Sequence, residues 1–365
     1  MQYEPRKLTY CCQFLLMLLF LSCQNRQCYK YSVSEVDIDS VSNVLLTGTP
    51  LPIDMKDADV LYCIDSLFIV HRTYYFDYPY DVYSIDTFDS ITSFGRKGRA
   101  RNEFVTSPIN KTKQVFTRNG HSIMPLMDGA DCKELNINKT IESKFPVIER
   151  VYDGIHYNSG TAILYGEDNN KMFAFYDGTA DEMYKDRDKL PMIVYSFNDN
   201  IRKENIYLRY PSNASSIDDV SSFYSGVLFK KPDEDIVAQP LDRMGYILFY
   251  ELDKCRYHAI HIKGARLFED GLPDDEQELM LRSFLDDAVV TDDYLLVLYY
   301  GDGLKRLETD PEYKGQLLMF DWKGNLVKSF TLHDWVNRIA LDVSSNVLYG
   351  SNFLTGEFYS FGELK

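Results

Sequence analysis

The sequence predicts an all-β protein, most consistent with a six-bladed β-propeller, and three observations support this. Tyr and Phe, which suit half-buried strands, number 28 and 22 among 365 residues. Short apolar runs alternate with Asp, Asn, Gly and Ser turns as far as Phe361. Helical periodicity is confined to Asp274–Leu285, so the crossover helices of a parallel α/β fold are missing. A blade recurs every ~40–50 residues, so seven blades, or a tandem β-sandwich, are the alternatives.

Strand signals follow one another along the chain as pairs separated by short turns. The earlier runs are Val60–Ile64, Leu67–Val70, Val82–Ile85, Ile91–Phe94, Lys171–Tyr176, Gly245–Leu252 and Arg256–Ile262. The later runs are Ala288–Tyr300 with a turn at Thr291–Asp293, Gln316–Trp322, Leu326–Phe330, Arg338–Asp342, Asn346–Tyr349 and Glu357–Phe361. Because strands continue almost to the last residue, we expect the two ends of the domain to pair and close the ring, which removes exposed sheet edges.

The N-terminus has the pattern of an exported, lipid-modified protein. Arg6 and Lys7 precede the apolar run Phe14–Leu21, which is too short to span a bilayer. The run ends in Ser22-Cys23, which resembles the bacterial lipobox, where the cysteine receives the lipid. The sequence therefore predicts a signal peptide over 1–22, a lipidated Cys23 with a linker over 23–50, and one propeller domain over 51–365.

Charge and the residues after Cys23 bear on location and partners. The formal net charge of −16 disfavours nucleic-acid binding, because an acidic surface repels phosphate. Membrane contact is expected through the lipid anchor alone, with an unknown envelope protein or glycan as partner. The neutral and basic segment Gln24–Gln27, rather than an acidic one, favours the periplasmic face of the outer membrane over the cell surface.

The sequence carries no catalytic motif, and it predicts neither a metal nor a cofactor. His258 and His261 are three residues apart on one strand, so they face opposite sides. The acidic clusters Asp177–Glu182 and Asp270–Glu278 lack the spacing of a calcium loop. Cys28, Cys63, Cys132 and Cys255 are scattered and form no disulfide framework, although a single disulfide stays open. Cys63 lies in a strand pattern and reads as a small core residue.

A basic run stands out in this acidic chain. Its four cationic residues are the candidate ligand-binding residues Arg96, Lys97, Arg99 and Arg101. Arginine forks read planar oxyanions, so the run could hold a sugar acid or a peptide carboxylate. The alternative is a solvated loop between blades, whose charges pair with nearby acids. We expect Glu103 to accept backbone N–H groups within this loop.

The stretch Val82–Phe104, with the basic run inside it, resembles the TolB-like six-bladed β-propeller lipoproteins of Bacteroides-type bacteria. In that family a strand pair ends in Phe-Gly-x-x-Gly, then Gly-Pro, then Glu-Phe. The matching positions, which we expect to shape the loop, are Phe94, Gly95, Gly98, Glu103 and Phe104. Ala100 and Arg101 stand in place of Gly and Pro. The resemblance implies a fold and an envelope location, but no reaction and no catalytic residues.

Two functions stay open at this level. The first is a non-catalytic binding or scaffolding propeller of the cell envelope. The second is a hydrolase or lyase acting on a glycan or ester at the propeller mouth. Carboxylates clustered at the channel mouth would favour the enzyme, whereas a shallow rim of Tyr and Arg would favour binding.

Overall fold

The computed structural model describes the following residues: 32–73, 77–129, 131–153, 162–175, 192–197, 202–206, 224–254, 256–267, 284–301 and 313–364. The signal peptide, Cys23, Cys28 and Cys255 lie outside these ranges, as do both acidic clusters and most of the helically periodic stretch.

Six sheets, each built on at least three consecutive antiparallel strands, are arranged as a six-bladed β-propeller, which confirms the predicted fold. Blade 1 consists of β4 (Ala58–Ile64), β5 (Leu67–Arg72), β6 (Tyr80–Ser84) and β7 (Ser90–Phe94). Blade 2 consists of β8 (Phe116–Arg118), β9 (His121–Asp128), β10 (Asp131–Asn136) and β11 (Ile148–Tyr152). Blade 3 consists of β12 (Ile163–Tyr165), β13 (Lys171–Phe175), β14 (Met192–Ser196) and β15 (Arg202–Ile206).

The other three blades each receive one further strand from the start of the described chain. Blade 4 consists of β16 (Phe229–Lys230), β17 (Ile236–Pro240), β18 (Tyr246–Glu251) and β19 (Arg256–Ile262), with β1 (Val33–Val36) at its edge. Blade 5 consists of β20 (Phe284–Val290), β21 (Tyr294–Tyr299), β22 (Gln316–Asp321) and β23 (Leu326–Leu332), with β2 (Asn43–Leu46) at its edge. Blade 6 consists of β24 (Arg338–Asp342), β25 (Val347–Ser351), β26 (Phe358–Glu363) and β3 (Thr49–Pro50).

The ring closes where the two ends of the domain meet. β3 pairs antiparallel with β26, through Thr49 with Ser360 and Pro50 with Tyr359. Blade 6 therefore takes three strands from the C-terminus and its outermost strand from the N-terminus. The first strands β4 and β24 contact each other around the axis, as do β24 with β20 and β20 with β16. The predicted pairing of the two ends is present.

Residues 33–50 form a belt of three short strands, where the sequence predicts a linker. β1 and β2 are mostly exposed, with only Leu46 buried between them. Both run parallel to the outermost strand of a blade and are held by backbone hydrogen bonds. Such pairing needs no apolar pattern, which explains why the segment reads as polar linker. We call Val33–Pro50 the N-terminal belt.

The core lies between neighbouring blades, and alternation along each strand distributes its side chains to both sides. On β18, Tyr246, Leu248 and Tyr250 pack in one cluster with residues of blade 3 such as Phe173. The intervening Ile247 and Phe249 pack in the next cluster with residues of blade 5. A blade buried on both faces reads as a continuous apolar run, and each large side chain so buried contributes about 1.5–3 kcal/mol.

One α-helix occurs in the described residues, α1 (Ile137–Ser143), between β10 and β11. The Asn136 side chain accepts a hydrogen bond from the Lys139 N–H and caps its start. Lys144, in the left-handed conformation with φ of 55°, ends it. Among the described residues, no helix is long and apolar enough to cross a membrane.

Candidate ligand-binding face

The topology divides the connections between two faces of the ring. Strands alternate in direction within a blade, so the links from second to third strand share one face with the links between blades. We call this the upper face and the opposite one the lower face. The link from β7 to β8 is an upper-face connection and contains the basic run. We call its first part, Gly95–Phe104, the basic loop.

The four predicted cationic residues are all exposed on the basic loop. Among the described residues, none of these four side chains makes an ion pair or hydrogen bond. The four are Arg96, Lys97, Arg99 and Arg101. They therefore raise a positive potential at one point on a chain whose net charge is −16. This arrangement can attract an anion in solution.

Glu103 organises the backbone of the basic loop. Its carboxylate accepts the N–H of Ala100 at 2.9 Å, and its own N–H donates to the Ala100 carbonyl at 2.9 Å. The Gly98 N–H donates to the Phe104 carbonyl at 2.8 Å, which closes the loop at its base. A Cβ on Gly98 would lie 1.9 Å from the Glu103 carboxylate. Gly98 is thus required for space rather than for positive φ.

Gly95 begins the loop in a conformation that other residues rarely adopt. Its φ is +98°, and a Cβ there would lie 2.9 Å from the Pro79 ring. Ala100 and Arg101 have no positive φ, so Ala and Arg fit where the related family has Gly and Pro. The loop is therefore closed although it lacks the Gly and Pro of the related family.

A buried ion pair fastens the end of the loop to blade 2. The Lys133 ammonium lies 2.7 Å from the Asp128 carboxylate and donates to the Glu103 carbonyl at 2.8 Å. Asp128 also accepts the backbone N–H groups of Val105 and Thr106, at 3.0 and 2.7 Å. Burial raises the pKa of Asp128, but the hydrogen bonds from Lys133 and these two amides outweigh it and leave the pKa lowered. The carboxylate therefore stays charged and holds the loop in place.

Large apolar side chains are exposed on upper-face loops of neighbouring strands. Val105 is 54% exposed directly after the basic loop. Tyr78, in the link from β5 to β6, is 45% exposed, and Leu354, in the link from β25 to β26, is 65% exposed. The upper face thus offers apolar contacts as well as positive charge.

A polar segment, Asn110–Gln114, fills the centre of the ring, and we call it the central segment. The Tyr62 hydroxyl of blade 1 donates to the Asn110 carbonyl at 2.5 Å. The Gln114 amide donates to the Leu164 carbonyl at 2.5 Å and accepts the Leu164 N–H at 2.9 Å, which ties it to blade 3. A segment that bonds to inner strands of separate blades lies at the axis.

Lys113 extends the central segment to blades 5 and 6. Its ammonium forms an ion pair with Asp287 and donates to the Ile339 carbonyl at 2.6 Å. The Ile339 N–H in turn donates to Asp287 at 2.6 Å. Burial lowers the pKa of Lys113 and raises that of Asp287, while the attraction between them opposes both shifts. Because both charges are already matched, we read this pair as a structural tie across the channel.

A cavity of about 210 Å³ lies below the central segment and opens toward the lower face. Its lining includes Tyr62, Cys63, Thr112, Lys113, Asn169 and Lys231. It adjoins a groove of about 670 Å³ beside blades 3 and 4. Lys230, which lines both, donates to the carbonyls of Lys231 and Glu234 at 3.0 and 2.8 Å, so its ammonium is used within its own turn.

The remaining reactive side chains are arranged for packing. Burial raises the pKa of the Cys63 and Cys132 thiols, both free, so they are poor nucleophiles. His258 stacks on Phe249 at 4.9 Å and His261 contacts Tyr246 at 4.7 Å. Within the described ranges, no group of three or more His, Cys, Asp or Glu side chains could hold a metal ion.

His71 is a buried residue that sequence reasoning did not single out. It is 1% exposed, and neither ring nitrogen has a hydrogen-bond partner in the described residues. Its ring lies 4.9 Å from that of Tyr80. Burial lowers the pKa of His71 to about 4; the charge of Asp59 raises it and that of Lys111 lowers it further. The imidazole is therefore neutral at physiological pH.

No family profile matches the chain, and no curated protein sequence matches it significantly. A solved structure from Bacteroides fragilis NCTC 9343, named as an exported protein, matches at 10% identity and a TM-score of 0.52, covering 92% of this chain and 100% of that one. The chain shares its fold. A DUF4221 family member from Bacteroides vulgatus ATCC 8482 matches at 10% identity and a TM-score of 0.53, covering 88% and 97%. At such identities the likeness shows the fold alone.

Proposed function

We propose that this protein is a binding propeller of the bacterial cell envelope, anchored by a lipid on Cys23, and that its basic loop captures an anionic group of a partner. The anion is a carboxylate of a peptide or of a sugar acid. The observation that carries the proposal is the set of four exposed cationic side chains that no described acid neutralises.

The loop is prepared for binding before any ligand arrives. Glu103 and Gly98 fix its turn, and Lys133 with Asp128 fix its end to blade 2. A preorganised loop loses little conformational entropy when it binds, so more of the contact energy appears as affinity. Functional loops on rigid scaffolds commonly have this character.

The path of the N-terminal belt supports an orientation in which the basic loop faces away from the membrane. β1 runs parallel to β19, which leads to the upper face, so the chain approaches β1 from the lower side. Cys23 stands nine residues before Ser32, a span of at most about 30 Å when extended. A lipid on Cys23 would hold the lower side toward the bilayer. The likeness to an exported Bacteroides protein agrees with this envelope location.

The first test removes two of the loop cations by combining Arg96→Ala with Arg99→Ala. We expect binding to immobilised poly-glutamate or polygalacturonate to fall about tenfold, because each exposed ion pair contributes about 0.2–1 kcal/mol. The melting temperature should stay unchanged, since neither side chain makes an ion pair or a hydrogen bond with a described residue. Binding of the unaltered protein should also fall between 0.1 and 1 M salt, as the Debye length shrinks from about 10 to 3 Å.

The matched control combines Lys144→Ala with Lys323→Ala, which removes two exposed cations from the lower face. This control should bind both polyanions as well as the unaltered protein. Equal loss in both double variants would mean that only net charge matters, and full retention in the loop variant would overturn the proposed site.

The second test concerns the anchor and uses Cys23→Ala. We expect the variant to leave the membrane pellet without detergent, because the remaining chain has no lipid to bury. Fractionation of cells expressing the two forms measures this. A variant that still pellets and needs detergent for release would rule out lipid anchoring through Cys23.

A further inference from the structure

The molecule adds a fifth strand to two of its own blades, and it does so in the same way each time. In blade 4 the N–H of Ala259 donates to the Ser32 carbonyl at 2.7 Å, and the N–H of Lys263 donates to the Val36 carbonyl at 2.9 Å. In blade 5 the equivalent donors are Ser329, whose N–H donates to the Ser42 carbonyl just before β2 at 3.2 Å, and His333, whose N–H donates to the Leu46 carbonyl of β2 at 2.8 Å. In both blades the donors are four residues apart, and the second directly follows the outermost strand.

The fifth strand of blade 4 is acidic, and basic groups at the end of β19 meet it. Asp37, just after β1, forms an ion pair of 2.7 Å with Lys263, the first residue after β19. Glu35, within β1, lies 4.0 Å from His261. Val33 and Ser34 are exposed, and Val36 is partly buried against the core between blades 4 and 5. Backbone pairing plus charge at the strand end is therefore enough to hold a short acidic strand here.

Blade 1 has an outer edge that no described strand covers. β7 is its outermost strand, and the described part of the chain places no strand against its other side. A register shift skips Ile91 in β7, as another skips Val327 in β23, and the residues after each shift are regular. Counted from the end of the strand, Ile91 and Gly95 stand where Ala259 and Lys263 stand in blade 4; Ile91 is 36% exposed, whereas Gly95 is buried. The basic loop begins directly where β7 ends.

The other outer strands that no described strand covers and whose side chains are described, β11 and β3, lack this charge; β3 has only two residues and is followed by the uncharged segment 51–53. β11 of blade 2 is followed by Asp153, which would repel an acidic strand. Blades 4 and 5 already carry β1 and β2, and β3 is the outermost strand of blade 6. Among the outer strands whose side chains the structure describes, charge complementarity therefore favours blade 1.

We propose that blade 1 accepts a fifth strand from a partner protein, an extended acidic segment that pairs with β7 while its carboxylates contact the basic loop. This rests on the proposed function and names the partner's chemistry. Strand addition supplies affinity through main-chain hydrogen bonds and specificity through the side chains that follow them. The four cations supply the selection for acidic segments.

The chain's own β1 segment provides the probe, because its chemistry is the one inferred for the partner. A fluorescent peptide with the sequence of Ser32–Ser40, Ser-Val-Ser-Glu-Val-Asp-Ile-Asp-Ser, is titrated with the full protein and followed by anisotropy. We expect saturable binding that weakens about tenfold when Arg96→Ala is combined with Arg99→Ala, as expected for two exposed ion pairs. A peptide that carries Glu35→Gln, Asp37→Asn and Asp39→Asn should bind the unaltered protein no more tightly than the unmodified peptide binds the arginine variant.

A modified peptide tests whether binding needs strand pairing as well as charge. A protein variant tests whether the peptide binds at blade 1 or at blade 4. A peptide methylated on alternate backbone nitrogens keeps every carboxylate but cannot complete a ladder, so its binding should be lost. Lys263→Ala, which weakens the blade 4 contact, should leave binding unchanged.

Each alternative outcome has a distinct meaning. Equal binding of the methylated peptide would overturn strand addition while leaving an anion site on the loop. Sensitivity to Lys263→Ala without sensitivity to the arginine variant would place the peptide on blade 4 and overturn the inference. No binding of the unmodified peptide, beside intact polyanion binding, would overturn the strand proposal and leave the proposed function standing.

Discussion

At the scale of single residues, Gly98 shows how one side chain can exclude another. The Glu103 carboxylate occupies the space where a Cβ on residue 98 would lie, 1.9 Å away. Gly98→Ala should displace that carboxylate and leave the Ala100 N–H without its acceptor. The free energy of unfolding should fall by about 1–2 kcal/mol, the usual effect of losing one charge-assisted hydrogen bond. Chemical denaturation of this variant and of the unaltered protein measures the difference.

A double-mutant cycle identifies the cause. In a Glu103→Ala background, Gly98→Ala should cost little, because no carboxylate remains to be displaced. If Gly98→Ala costs the same in both backgrounds, the crowding explanation is wrong and residue 98 matters for its backbone alone.

His71 makes the stability of blade 1 depend on pH. Its pKa is about 4 in the folded protein and near 6.5 in the unfolded chain. The unfolded chain therefore binds more protons between these values, so stability falls as the pH drops from about 6.5 to 4. The full shift corresponds to about 3 kcal/mol. Above pH 6.5 this contribution is complete.

His71→Phe removes the titrating group and keeps an aromatic ring against Tyr80. Unfolding free energies of the variant should change less than those of the unaltered protein between pH 4 and 6.5. A parallel pH dependence in both proteins would assign the effect to other groups, such as the buried carboxylates.

At the scale of elements, the sequence predicts the strands that are buried and misses those that are held only by backbone. Val60–Ile64 and Gln316–Asp321 alternate toward two neighbouring blades, so their apolar pattern is visible. β1 and β2 bury little beyond Leu46 and part of Val36, and their partners β19 and β23 lie more than 200 residues away in sequence. No local pattern records such a pairing.

The candidate site likewise has features that the sequence predicts and features that only the fold reveals. The basic run and the Gly, Glu and Phe positions around it are visible in the sequence, because unusual charge and glycine spacing are local features. The central segment is not visible, because Asn110, Lys113 and Gln114 look like ordinary loop residues until the ring brings distant strands to them. Likewise, the open edge of β7 is a property of the sheet rather than of its five residues.

At the scale of the whole molecule, the two ends of the described chain do different things for the ring. β26 is internal to blade 6 and is also the partner of β3, so it joins the C-terminal strands to the N-terminal one. β1 and β2 only cover the edges of blades 4 and 5. The ring therefore depends on β26 and not on the first two strands of the N-terminal belt.

This difference predicts that a short C-terminal truncation destabilises the ring more than a longer N-terminal one. Deletion of 356–365 removes β26, leaves β3 without a partner and exposes Phe68 and Tyr349, which pack with Phe358. We expect the loss of the single cooperative thermal transition, or a melting temperature lower by more than 10 °C, because burial of each large side chain contributes about 1.5–3 kcal/mol.

Deletion of everything before Thr47 keeps β3, so it should lower the melting temperature far less. The uncovered edges of β19 and β23 should promote self-association, which sedimentation measures. If the C-terminal deletion melts like the unaltered protein, the pairing of β3 with β26 does not hold the ring together.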